Sequence, residues 1–123
     1  MSKILLSIHP EYVEKIIDRS KKYEFRKRRC KQEIKKIIIY ETAPVCMVIG
    51  EVEVVEVMEG TPEKIWEMTE EFSGIKKNLF ESYYENQDNA VAFHLGTVKK
   101  YRKPKSIEEF GVKVAPQSYV YVK

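Results

Sequence analysis

The chain has 123 residues, of which 43% are hydrophobic and 33% charged, and its formal net charge is +3. That length sets a single domain over residues 1–123, and that balance excludes a disordered chain or a fibrous repeat. The apolar run at residues 4–8 is too short for a membrane span or a secretory leader, and Cys30 and Cys46 fit neither redox nor zinc spacing, so the expectation is a cytoplasmic protein with reduced thiols and no metal or cofactor.

Residues 3–8 are nearly all apolar and predict a buried strand. Pro10 suits the first position of a helix, and Val13, Ile16 and Ile17 follow at helical spacing. The stretch after Arg19 is densely basic yet alternates. As a strand it puts Tyr23 and Phe25 on one side and Lys22, Glu24, Arg26 and Arg28 on the other. Residues 35–40 predict another strand, and residues 45–58 a long one. Gly50 and the broken alternation at Val54-Val55 mark bulges in it. Thr61-Pro62-Glu63 is a helix start, with Thr61 as N-cap and Pro62 first in the helix. Ile65, Met68 and Phe72 form its stripe, with Trp66 packing beside them. Ser73-Gly74 breaks the helix, and Ile75, Leu79, Phe80 and Tyr83 resume the spacing. Residues 90–102 form a strand ended by Pro104, residues 107–110 a helical turn closed by Gly111, and residues 119–122 a last strand. Only one helix separates consecutive strands in a way that suits a crossover. The order therefore predicts an α+β fold: a small mixed, mostly antiparallel β-barrel with two or three packed helices. A monomer is the default expectation, which no residue pattern decides.

Charge is segregated. Residues 19–36 hold ten Lys/Arg against two Glu, residues 99–105 five Lys/Arg and no acid, and residues 51–71 eight Glu and one Lys. If the basic blocks meet, one side of the molecule favours a polyanion; the alternative is a solvated surface without a partner. Tyr101 lies among Lys99, Lys100 and Arg102, an interleaving of ring and charge that suits nucleic acid. Tyr40 and Tyr84 are further stacking candidates. Tyr83 continues the helical stripe and is assigned to the core, which leaves Tyr84 to face a cleft. His94 reads as a structural histidine, and no histidine, cysteine or carboxylate set has metal spacing.

Lys21, Glu24 and Arg26 stand in the order Lys-x-x-Glu-x-Arg just after the first short helix. This resembles the Gly-x-Lys-x-x-Glu-x-Arg signature of the ASCH domain, a relative of the PUA fold. The context is similar too: the opening strand with His9-Pro10, then Ile37-Ile38-Ile39-Tyr40 followed by Ala43-Pro44, then Ile49-Gly50-Glu51-Val52. The resemblance extends over most of the chain. One position departs from it: Arg19 stands where the family has glycine. If that glycine supplies a positive φ or a close approach, arginine changes the turn or crowds the cleft.

The resemblance implies a PUA-like barrel with a cleft between barrel and helices. It also implies a role in RNA metabolism, with RNA or a modified nucleoside or nucleotide as partner. The binding residues would be Lys21, Lys22, Glu24, Arg26, Arg28, Tyr40, Tyr84, Lys99, Lys100, Tyr101 and Arg102, in a basic cleft. Lys21 would meet a phosphate as a point charge and Arg26 bidentately, while Glu24 accepts from a base amino group or orients the cations. Some relatives instead deacetylate N4-acetylcytidine with a lysine matching Lys21, although a threonine is expected where this chain has Glu24. Others resemble ribonucleases. In that alternative Lys21 and Glu24 are catalytic. Lys21 then needs a pKa depressed by burial or by Arg19, Lys22 and Arg26, and Glu24 serves as general base. The bland alternative is a solvated Glu24–Arg26 pair worth about 1 kcal/mol or less.

Overall fold

The computed structural model describes residues 2–123. Its strands are β1 (Ser2–Ile8), β2 (Tyr23–Arg26), β3 (Ile34–Glu41), β4 (Met47–Gly60), β5 (Ala90–Lys105) and β6 (Tyr119–Val122). The helices are α1 (Pro10–Ile17), α2 (Pro62–Thr69) and α3 (Lys77–Tyr83), with 3-10 turns at Glu70–Phe72 and Ile107–Phe110. The strands form one sheet in the order β2-β5-β4-β3-β1-β6. Only β1 and β3 run parallel; the other neighbours are antiparallel. The chain thus crosses over once, through α1 and β2, and meanders thereafter.

The apolar runs of β1 and β3 are buried on both faces, which explains their near-continuous hydrophobicity. Ile4, Leu6, Ile8, Ile37 and Ile39 point into the main core with Phe93 and Leu95 of β5 and Val13 and Ile16 of α1. Leu5, Ile38 and Tyr40 point the other way, under Val112 and the Ile107–Phe110 turn. A third cluster packs Phe25 of β2 and Ala90 and Ala92 of β5 against Ile65, Phe80 and Tyr84. Thr61 caps α2 by accepting from the Lys64 amide at 3.3 Å, with Pro62 in the first turn, as its sequence predicts. Gly50 lies at a register shift against β5, where a Cβ would stand 2.6 Å from the Lys99 carbonyl oxygen. Further shifts flank Val54, at the predicted slip in alternation.

Two expectations are corrected. β5 does not end before Pro104 but runs on to Lys105, which pairs with Val48. At that point β4 is the only neighbour of β5, since β2 covers just Val91–His94, so the missing proline N–H costs no bond on the open side. The ladders also describe an open sheet and not a closed barrel. The sheet nevertheless curls far enough for Arg26, on edge strand β2, to donate from Nη2 to the Ser7 carbonyl of β1 at 3.1 Å. A side chain spans the seam where a barrel would have a ladder.

Arg19 adopts a backbone conformation that glycine favours. Its φ is +72°, the left-handed conformation in which glycine is the usual residue. Its guanidinium turns away from the cleft, and Nη2 donates to the Leu95 carbonyl at 3.4 Å. Arg19→Val is therefore expected to lose about 2 kcal/mol of unfolding free energy in urea titrations, because a β-branched residue is strained at this φ. Arg19→Gly should match or exceed the parent.

Candidate functional site

The seam between β2 and the end of β1 opens into a cleft of about 750 Å³. One wall is β2 with Glu24, Phe25 and Arg26. The opposite side carries Ser7, Ile8, His9, Tyr12 and Tyr40, and α3 contributes Leu79, Ser82 and Tyr83. Residues 42–43 and 115–117 form rims. This size and mixture suit a small organic ligand or one unit of a polymer.

Lys21 is at the bottom and only 2% exposed. The loop that carries it is tied on both sides. The Lys21 amide donates to the Lys15 carbonyl at 3.0 Å, the Lys22 amide to Phe72 at 2.8 Å, and the Leu95 amide to the Lys22 carbonyl at 2.8 Å. The ammonium donates to the Ser73 carbonyl at 2.7 Å and lies 5.2 Å from the Tyr12 ring centre and 4.7 Å from that of Phe25. Gly74, at φ +68°, is packed so tightly on the Lys21 stem that any Cβ there would overlap it. The helix break at Ser73-Gly74 is thus part of the lysine's seat. Burial pulls the Lys21 pKa down from 10.5 to about 8; Glu24 opposes the shift, and Lys15 and Arg26 add to it.

Glu24 is also buried, at 7% exposure. Its Oε2 accepts from Arg26 Nη2 at 2.8 Å, and its Oε1 has no protein donor among the described residues. Arg26 is pinned by Glu24 and by the Ser7 carbonyl, while its Nε is buried without a partner. The solvated Glu24–Arg26 pair is therefore replaced by a largely buried one on β2, from which Arg26 also reaches across the seam to Ser7. Burial raises the pKa values of Tyr12 and Tyr83, so both enter the cleft as neutral phenols.

The remaining predicted residues are scattered. Tyr40 is buried and lines the cleft. Tyr84 does not line it. It is 4% exposed, and its hydroxyl donates to the Arg26 carbonyl at 2.8 Å and to that of Val91 at 3.3 Å. The Tyr84 amide still donates to the Phe80 carbonyl at 3.1 Å, so Tyr84 lies one helical turn after buried Phe80 and faces the core with it, while Tyr83, 38% exposed, takes the cleft position. Lys22 rests over Phe72 at 4.1 Å outside the cleft, and Arg28 lies exposed beyond the end of β2. Lys99, Lys100, Tyr101 and Arg102 are on the far half of β5, where Tyr101 donates to Glu51 at 2.9 Å; they do not line the cleft. The two basic blocks therefore do not converge in it. Ser7, His9 and Tyr12 are lining residues that the sequence did not single out. Tyr12 carried one usable sign, an aromatic ring on the first helix outside the Val13-Ile16 stripe.

The ASCH domain family model matches residues 6–105. The chain belongs to the ASCH domain family. This ASCH domain superposes on the crystal structure of the ASCH protein from Zymomonas mobilis with a TM-score of 0.88 and 25% identity, covering 98% of this chain and 87% of that one. A serine-to-alanine variant of the same protein gives 0.89 and 24%, covering 98% and 88%. A segment of the large ribosomal subunit protein uL22 of Ureaplasma parvum serovar 3 is 29% identical over 121 residues. A segment of ATP synthase subunit alpha from the same organism is 28% identical over 121 residues. Both alignments cover 98% of this chain, which spans only 39% and 15% of the lengths of those proteins. Among the described residues no group of three or more His, Cys, Asp or Glu is placed to hold a metal ion, and no helix is long and apolar enough to cross a membrane.

Proposed function

We propose that this domain binds single-stranded RNA by taking one unpaired base into the cleft. The observation that carries this reading is the unpaired Oε1 of buried Glu24, in a cleft that it shares with Lys21 and with Tyr12, Phe25, Tyr40 and Tyr83. A carboxylate oxygen accepts a base N–H, an ammonium donates to a ring nitrogen or carbonyl, and aromatic walls cover the apolar faces. Family membership supports the same reading. The ligand group inside is a base and not a phosphate, since Arg26 is already engaged and Glu24 would repel an anion.

The test is fluorescence anisotropy with a labelled single-stranded oligoribonucleotide of mixed sequence at about 50 and about 200 mM salt. Saturable binding is expected, and Glu24→Gln should weaken it by about tenfold by replacing a charged acceptor with an amide. Absence of saturable binding at the lower salt overturns the reading.

One observation favours hydrolysis as a second reading. A lysine at about 8 is unprotonated in roughly a tenth of molecules at neutral pH, enough to serve as a base or nucleophile. Incubation with N4-acetylcytidine and with RNA, beside Lys21→Ala, separates the two. Turnover abolished by the substitution makes Lys21 catalytic, and no turnover leaves binding.

A further inference from the structure

The cleft's interior carries little free charge. Lys21 and Arg26 are the cations within it, Glu24 offsets one of them, and both are already held by protein oxygens. A phosphodiester drawn inside would lose its water and face the Glu24 carboxylate. The sugar-phosphate backbone of a bound strand must therefore run outside the mouth, over cations not used elsewhere.

The segment that leaves β2 brings a cation to that position. Lys27 and Arg28 follow directly on β2 and are exposed. The Lys27 ammonium lies 4.8 Å from the ring centre of Tyr83, the same ring that lines the cleft. Lys27 and Arg28 take part in none of the ion pairs within 4.0 Å among the described residues, whereas their neighbour Arg29 meets Glu59 at 3.6 Å. The loop is also anchored, since the Asn89 amide donates to the Lys27 carbonyl at 3.4 Å. The cations of the basic half of β5 are likewise in none of those ion pairs, so position and not freedom from pairing separates the two groups. It is absent from the cleft lining, and it packs against Glu51, which pairs with Lys99 across the ladder and accepts from Tyr101.

We infer that Lys27 and Arg28 form the phosphate track of the site, carrying the backbone of a single-stranded RNA past Tyr83 while one of its bases enters the cleft. The inference rests on the base-binding reading above and extends it to the polymer. A ligand of this kind is a strand with flanking phosphates, and two neutralised phosphates release counterions whose number a salt titration reads.

The experiment measures oligoribonucleotide affinity against salt for the parent, for Lys27→Ala/Arg28→Ala and for Lys100→Ala/Arg102→Ala. The expected result is confined to the first pair: affinity about tenfold lower at moderate salt, and a log–log salt slope shallower by about 1.4, the value for two contacts on a single strand. An unchanged slope in that variant, or the larger change in the β5 variant, overturns the phosphate track. Glu24→Gln measured beside them separates this failure from failure of the base site. If Glu24→Gln weakens binding and the loop variant does not, only the track is wrong. If the parent shows no saturable binding, both readings fall. Circular dichroism of both double variants, which alter exposed side chains only, confirms that the fold is intact.

Discussion

Arg26→Ala unfolds at lower urea concentration than the parent, with a loss of about 3–5 kcal/mol. The expected size follows from three consequences of one truncation. The buried Glu24 carboxylate loses its 2.8 Å partner, the Ser7 carbonyl loses its donor, and the seam between β2 and β1 loses the side chain that spans it. Most of the loss comes from the stranded carboxylate and not from the pair as such, because two buried charges gain little over a well-packed apolar substitute. A double variant, Glu24→Gln with Arg26→Met, should therefore recover about 1–2 kcal/mol relative to Arg26→Ala alone. If Arg26→Ala were within about 0.5 kcal/mol of the parent, the pair would be behaving like an exposed surface salt bridge.

The second large effect has the opposite sign. Lys21→Met is expected to stabilise the fold by about 1–3 kcal/mol at neutral pH while removing the ammonium from the cleft. Unfolded, the lysine keeps its proton up to its ordinary 10.5; folded, it releases the proton near 8. Between those values the unfolded chain binds more protons, so the residue's contribution to stability climbs as pH rises from 8 to 10.5 and is least favourable below 8. The gap between Lys21→Met and the parent should accordingly narrow across that window, as read from urea unfolding at neutral and at alkaline pH. The lost bond to the Ser73 carbonyl holds the gain below the full cost of burial. A variant less stable than the parent at neutral pH would mean that the ring contacts and the carbonyl outweigh desolvation. A stabilised Lys21→Met would be the pattern expected when a site needs the charge more than the fold does.

The elements were legible where local chemistry decides them. Pro10, the Thr61-Pro62 cap, the Gly50 bulge and the Gly111 turn all depend on neighbouring residues and fall where the sequence put them. Lys21, Glu24 and Arg26 were singled out by the resemblance of Lys-x-x-Glu-x-Arg to the ASCH signature and not by charge or spacing alone, and each lines the cleft. Tyr83 and Tyr84 exchanged roles because both lie at helical spacing from an earlier apolar residue, Tyr83 from Leu79 and Tyr84 from Phe80, and only packing against β2 and β5 decides which face is buried. Lys99 to Arg102 were placed near the site on charge alone, and charge carries no information about which half of β5 faces β2. Ser7, His9, Tyr12 and residues 115–117 come from separate parts of the chain and meet only through the curl of the sheet, which no local pattern encodes.

The open seam has a consequence for divergence. In a closed barrel every residue along the joining strands is held by a backbone ladder, and a change of side chain risks the register. Here the joint is made by a guanidinium and a carbonyl, so the residues facing across it are laddered on one side only, β2 to β5 and the end of β1 to β3. Substitutions there, Glu24 and Arg26 aside, change what the cleft holds without removing a backbone pair across the seam. A backbone that superposes at a TM-score of 0.88 on a relative with only 25% identity fits such an arrangement: the ladders preserve the frame while the seam is left open to new chemistry.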